Sequence, residues 1–114
     1  MEADGMIAFI TLLGLGVLVS VLGAINMTGN ISTLHSYHRH RVTEENRKPF
    51  GKLVGLGTLI IGIAIIIYSI LLMVSEQMEL EHLAVIGAVE LIISIIIGTI
   101  ISFYAMKKYN GGIF

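Results

Sequence analysis

Three stretches of this chain are so apolar that they leave few places for it to fold. Met6 to Met27 and Leu53 to Val74 carry no charge, and Leu83 to Met106 carries only Glu90. A helix needs roughly 20 mostly apolar residues to cross about 30 Å of hydrocarbon, and each block reaches that length. A soluble helical bundle would require a polar face on every helix. The segment "TLIIGIAIIIYSILLMV" has none. Ile, Val and Gly are poor helix formers in water. In hydrocarbon they form helix nonetheless, because no other single segment satisfies its own backbone hydrogen bonds.

The expected fold is all-α and integral to a membrane. One domain covers residues 1–114. Helix 1 spans about 6–27, a loop 28–52, helix 2 about 53–74, a second loop 75–82, helix 3 about 83–106 and a tail 107–114. The first block follows the acidic "MEADG" and is long. A cleaved signal has a basic leader and a shorter apolar core, so a retained helix is expected.

Only 13% of residues are charged, against about 25% in a soluble domain, and their signs are sorted. Arg39, Arg41, Arg47, Lys48 and Lys52 lie in the first loop, and Lys107 and Lys108 follow helix 3. Glu2 and Asp4 precede helix 1, while Glu76, Glu79 and Glu81 lie in the second loop. Basic residues in short loops favour the cytoplasmic side. The expected topology is N-terminus outside, first loop cytoplasmic, second loop outside and C-terminus cytoplasmic. A net charge of −1 gives no reason to expect a nucleic-acid partner. With no cysteine, disulfides, thiolate metal sites and cysteine nucleophiles are excluded.

Lipid supplies no hydrophobic drive between helices, so small residues mark where membrane helices approach closely. Helix 1 has Gly16, Ser20 and Gly23. Helix 2 has Gly51, Gly55, Thr58, Gly62 and Ser69, and helix 3 has Gly87, Ser94, Gly98 and Ser102. Steps of three, four and seven put each set on one helix face. One packing stripe per helix is expected, with bulky aliphatic residues facing lipid. The partner is another helix of the chain, a second copy or another membrane protein.

Glu90 falls between Gly87 and Ser94, on the stripe of helix 3. It lies roughly 10 Å below Leu83 at 1.5 Å per residue. Tyr68 and Ser69 of the antiparallel helix 2 stand at about that depth and are the expected hydrogen-bond partners. A charge at such depth costs on the order of 2–3 kcal/mol, and no Lys, Arg or His lies within the spans to pair with it. A neutral, hydrogen-bonded carboxyl is therefore expected. Its role is either to bind a proton or cation reversibly or to tie helices together.

The first loop contains His35, His38, His40, Arg39, Arg41, Glu44, Glu45, Arg47 and Lys48. The three histidines suggest a metal site. However, His40 would point away from the other two on a helix, and Arg39 and Arg41 would repel a divalent cation. No metal and no cofactor are expected. The loop has two other readings, a headgroup-facing basic connector or a docking surface. Its 25-residue length favours docking, since bundled helices are usually joined by about 2–8 residues. Asn46, followed by Pro49 and Phe50, looks like a helix start, where proline is tolerated.

"GNISTLHSYHRHRVTEENRKPFGKLVGLGTLIIG" resembles the signature of an uncharacterised family of small bacterial membrane proteins, mostly from Gram-positive and clostridial species. Its members share a Gly-Asn at the end of helix 1, an "LHSYH" run and an "RVTEENRKPFGK" leading into a Gly-rich helix. The resemblance covers about a third of the chain. It implies three spans and a multi-pass place in the bacterial plasma membrane, and transfers no functional residue. A looser similarity is to membrane proteins that protect bacilli from a secreted killing peptide. It rests on Gly29, Asn30, Arg41, Thr43, Glu45, Lys52 and Gly55. The tryptophans common in that loop are absent here.

An enzyme is not expected. The chain has no nucleophile elbow, metalloprotease pair or phosphate loop, and its histidine cluster and Glu90 belong to opposite membrane faces. The expected function is a small non-enzymatic membrane protein, an interaction, immunity or regulatory subunit acting through helix packing and its first loop. The alternative is an oligomeric proton- or cation-coupled transporter or channel using Glu90.

Overall fold

The computed structural model describes residues 3–31 and 43–109. The described chain is all-helical. It comprises α1 (Ala3–Met27), a single 3-10 turn (Glu44–Asn46), α2 (Arg47–Met78) and α3 (Glu81–Tyr109). Each of the three α-helices is long and apolar enough to cross a membrane.

All three helices outrun the apolar blocks that predict them, because their charged ends stay helical. α2 begins at Arg47, with Asn46 as its N-cap where the sequence marks a helix start, ahead of the apolar block that opens near 53, and Lys48, Pro49 and Lys52 lie inside it. Pro49 falls in the first turn, where its missing N–H has no intrahelical acceptor to lose. The second loop, expected over 75–82, shrinks to Glu79 and Leu80. Glu79 adopts a left-handed conformation (φ 55°) that caps α2. Its backbone N–H and that of Leu80 both donate to the Ser75 carbonyl, closing the end of α2 and turning the chain into α3. α1 ends in a comparable turn. Gly29 takes φ 96°, and its N–H donates to the Asn26 carbonyl at 3.0 Å.

α2 is the middle of a row. α1 and α3 both pack along it, antiparallel, and scarcely touch one another. The molecule measures 51 × 21 × 20 Å, against the roughly 40–45 Å of a bilayer with its headgroups. Charges gather at its two ends. Asp4, Glu76, Glu79 and Glu81 mark an acidic end, and Arg47, Lys48, Lys52, Lys107 and Lys108 a basic end.

Backbone approach holds the row together. A Cβ built on Gly23 of α1 would lie 2.6 Å from the Leu59 nitrogen and 2.8 Å from the Gly55 carbonyl oxygen of α2. On the other side, a Cβ on Gly98 of α3 would lie 2.6 Å from the Gly57 carbonyl oxygen of α2. Weak C–H···O contacts settle at about 3.3–3.6 Å, so no larger residue fits these crossings without moving a helix. The expectation of one stripe per helix is corrected here for α2, which has two. Gly57 is two residues from Gly55, about 200° round the helix, and a central helix needs a close-packing face for each neighbour.

Bulky buried residues cluster at the basic end. Ile31, Phe50, Val54 and Ala105 form a small core, with Leu53, Met106 and Tyr109 packed against it. Ile31 follows the Gly29 turn, Phe50 lies in the first turn of α2, and Ala105 is near the end of α3. The core therefore joins all three helices, and the turn after α1 is part of it.

Candidate functional site

The predicted packing residues divide between the two interfaces. Gly16 of α1 lies against Ile66 and Gly62, Ser20 against Gly62, and Gly23 against Gly55 and Leu59. Across α2, Gly98 and Ser102 of α3 lie against Gly57, and Gly87 against Tyr68 and Leu71. Ser94 is half-buried. Gly14, outside the predicted stripe, has open space where its Cβ would be.

Glu90 is half-buried, one turn along α3 from Gly87. Its Oε2 is closed off from the surface and has no hydrogen-bond partner. The expected pairing with Tyr68 and Ser69 is therefore not made at this atom. For Ser69 the reason is its side of the helix. It sits about 100° round α2 from Tyr68 and lines a small cavity with Gly5, Ala8 and Phe9 of α1. Its hydroxyl donates to the Ile66 carbonyl one turn back, at 2.7 Å. Tyr68 does face α3, where its ring lies over Gly87. Two residues predicted to act together thus belong to opposite interfaces. A second enclosed oxygen, Ser20 Oγ, also lacks a partner and sits against Gly62 in the α1–α2 crossing.

At the acidic end, an open hollow is lined by Ser75, Glu76, Glu79, Leu80, Glu81 and His82. The Glu76 carboxylate also lies over Gly5, in the first turn of α1. A negative group there complements the positive end of the helix dipole. Among the described residues, no three His, Asp or Glu side chains converge as a metal cage would require.

At the basic end, Glu44, Glu45, Arg47, Lys48 and Lys52 are exposed. His35, His38, His40 and Arg41, which the sequence also singles out, lie outside the described residues. Lys107 and Lys108 are exposed at the end of α3. The Lys108 ammonium stands 5.7 Å from the Tyr104 ring centre and 5.3 Å from that of Tyr109, within cation–π range of both. With Lys107, Tyr104 and Lys108 line a hollow of about 340 Å³.

Sequence reasoning missed three features. Gly57 and Ala64, seven apart and both buried, trace the second stripe of α2, and that spacing was available to find them. Phe50 lies in a polar stretch and gives no periodic signal, yet it is fully buried. The Tyr104, Lys107, Lys108 and Tyr109 grouping has helical spacing, but it falls where basic residues are read only as topology signals. Comparison with protein-family models, with curated proteins and with solved structures finds no match.

Proposed function

We propose that this chain is a multi-pass protein of a bacterial plasma membrane, with its basic end in the cytoplasm. On this reading it is a non-enzymatic interaction, immunity or regulatory subunit. It belongs with the small three-helix family whose loop signature it resembles. The membrane reading is supported by the exposed faces of α1 and α3. Ile7, Ile10, Leu18 and Val21 on α1 and Val89, Ile93, Ile96 and Ile100 on α3 are each half exposed or more. Such a length of aliphatic surface calls for lipid or another apolar partner. Orientation follows from the sorting of charge between the two ends.

One observation favours an interaction role over transport. The enclosed oxygen of Glu90 has no hydrogen-bond partner, and none of the hollows described above opens onto it. A proton or cation pathway needs a chain of polar groups leading to the titratable one. Among the described residues a single copy offers a carboxyl without such a chain, so on this reading transport would require an oligomer to complete it.

The experiment is gentle extraction followed by native mass spectrometry, on the wild type and on Glu90→Gln. The substitution keeps hydrogen bonding and removes titration. A defined partner protein, retained by both forms, is the expected result. A monodisperse homo-oligomer whose proton-coupled flux disappears in Glu90→Gln with assembly intact would instead establish the transporter reading.

A further inference from the structure

The end of α3 combines features that the interaction role does not use. Tyr104, Lys107 and Lys108 lie three and four residues apart, so they share one helix face. Lys108 is held against two tyrosine rings, and the hollow beside it is open. The same face runs back into the apolar span through Ile100, Ile97 and Ile93, all exposed. Five exposed cations gather at this end, Arg47, Lys48, Lys52, Lys107 and Lys108, against Glu44 and Glu45. Among the described residues, none of the five is paired with a carboxylate.

We infer that the Tyr104–Lys107–Lys108 hollow is a binding site for the phosphate headgroup of an anionic phospholipid, with an acyl chain lying along Ile100, Ile97 and Ile93. The occupant is a lipid rather than a soluble phosphate because the hollow's Tyr104 stands one helical turn from exposed Ile100, the near end of the aliphatic stripe. A soluble anion would use the first and gain nothing from the second. Tyrosine suits the position, since its ring favours the boundary between chains and headgroups while its hydroxyl reaches water. Lysines near an anionic surface each contribute about fivefold in binding (about 1 kcal/mol). Holding Lys108 against two rings reduces the side-chain freedom it has left to lose. The inference rests on the membrane-spanning reading above.

The test uses the full chain in mixed micelles with equimolar phosphatidylglycerol and phosphatidylcholine, counting retained lipids by native mass spectrometry. The wild type is expected to retain the anionic lipid roughly twenty-fivefold more often, at about fivefold for each of Lys107 and Lys108. Lys107→Gln with Lys108→Gln should bring that preference to near unity. Lys48→Gln with Lys52→Gln removes the same charge from α2 and should leave most of it. Inorganic phosphate, compared with chloride at equal ionic strength, should leave the lipid adducts unchanged.

No preference in the wild type overturns the inference. So does an unchanged preference after the Lys107 and Lys108 changes, an equal loss in the α2 control, or displacement by inorganic phosphate. Alkaline carbonate extraction of native membranes tests the spanning reading separately. A chain released by carbonate refutes membrane spanning. A chain that stays in the membrane but lacks lipid preference refutes only the headgroup site.

Discussion

Gly23 and Gly14 sit on the same helix in opposite surroundings, and replacing each by alanine isolates what backbone approach contributes. Both variants gain about 1 kcal/mol of helix propensity, so that gain cancels between them. At Gly14 the new methyl meets open space. At Gly23 it would lie 2.6 Å from the Leu59 nitrogen and 2.8 Å from the Gly55 carbonyl oxygen. Against a comfortable C···O separation of about 3.3–3.6 Å, α1 and α2 must part by well over half an ångström. A gap of about 0.5–1 Å forfeits a quarter to a half of each dispersion contact it opens. Overpacking of this kind costs about 1–3 kcal/mol, so Gly23→Ala should be less stable than Gly14→Ala by that amount, or roughly five- to 150-fold in the folding constant. The chain has no cysteine, so dyes on Ala3→Cys and Met78→Cys report α1–α2 separation unambiguously. Energy transfer between them, followed through an SDS titration, gives the two midpoints. If Gly23→Ala resists SDS as well as Gly14→Ala, the glycine-contact account of the α1–α2 interface is wrong.

Three further outcomes follow from other parts of the molecule. Gly57→Leu should detach α3 while leaving α1 on α2, because Gly57 faces Gly98 and Ser102 rather than α1. Energy transfer across α2–α3 would then fall while that across α1–α2 persists, and joint loss would contradict the two-faced reading of α2. Phe50→Ala empties a fully buried position in the basic-end core and should destabilise by about 3–5 kcal/mol, seen as faster proteolysis near that end. Glu79→Gly should stabilise by about 0.5–1 kcal/mol, since a left-handed φ of 55° strains any residue with a Cβ while glycine's looser unfolded state offsets part of the relief. An unchanged or lowered SDS midpoint would show that the Glu79 side chain contributes more than its backbone strain removes.

The legible part of this protein was the part with a period. Three apolar runs, with Glu90 the one charge in them, specify three helices, and steps of four and three pick out Gly16, Ser20 and Gly23 as one contact face of α1. Where the signal lacked a period, the reading stopped short. Phe50 and Ile31 lie among polar residues and become a core only because α3 brings Ala105 alongside them. The helix ends ran longer than the apolar blocks because hydropathy changes where charges begin, whereas a helix ends at its capping turn, here Gly29 and Glu79.

Composition and local spacing therefore determined the all-α class, the helix number and the faces available for contact, because hydrocarbon-like segments can satisfy their backbones only as helices. The order of helices in space was decided by tertiary structure alone. The spacing of Gly55, Gly57 and Ala64 allows α2 two small-residue faces, but it does not say which helix takes which face. That assignment follows from Gly55 meeting Gly23 on one side while Gly57 meets Gly98 on the other. The same arrangement separated Ser69 from Tyr68 and left Glu90 Oε2 enclosed without a partner. Neighbouring residues on a helix point about 100° apart, so equal depth in a membrane does not make two side chains neighbours.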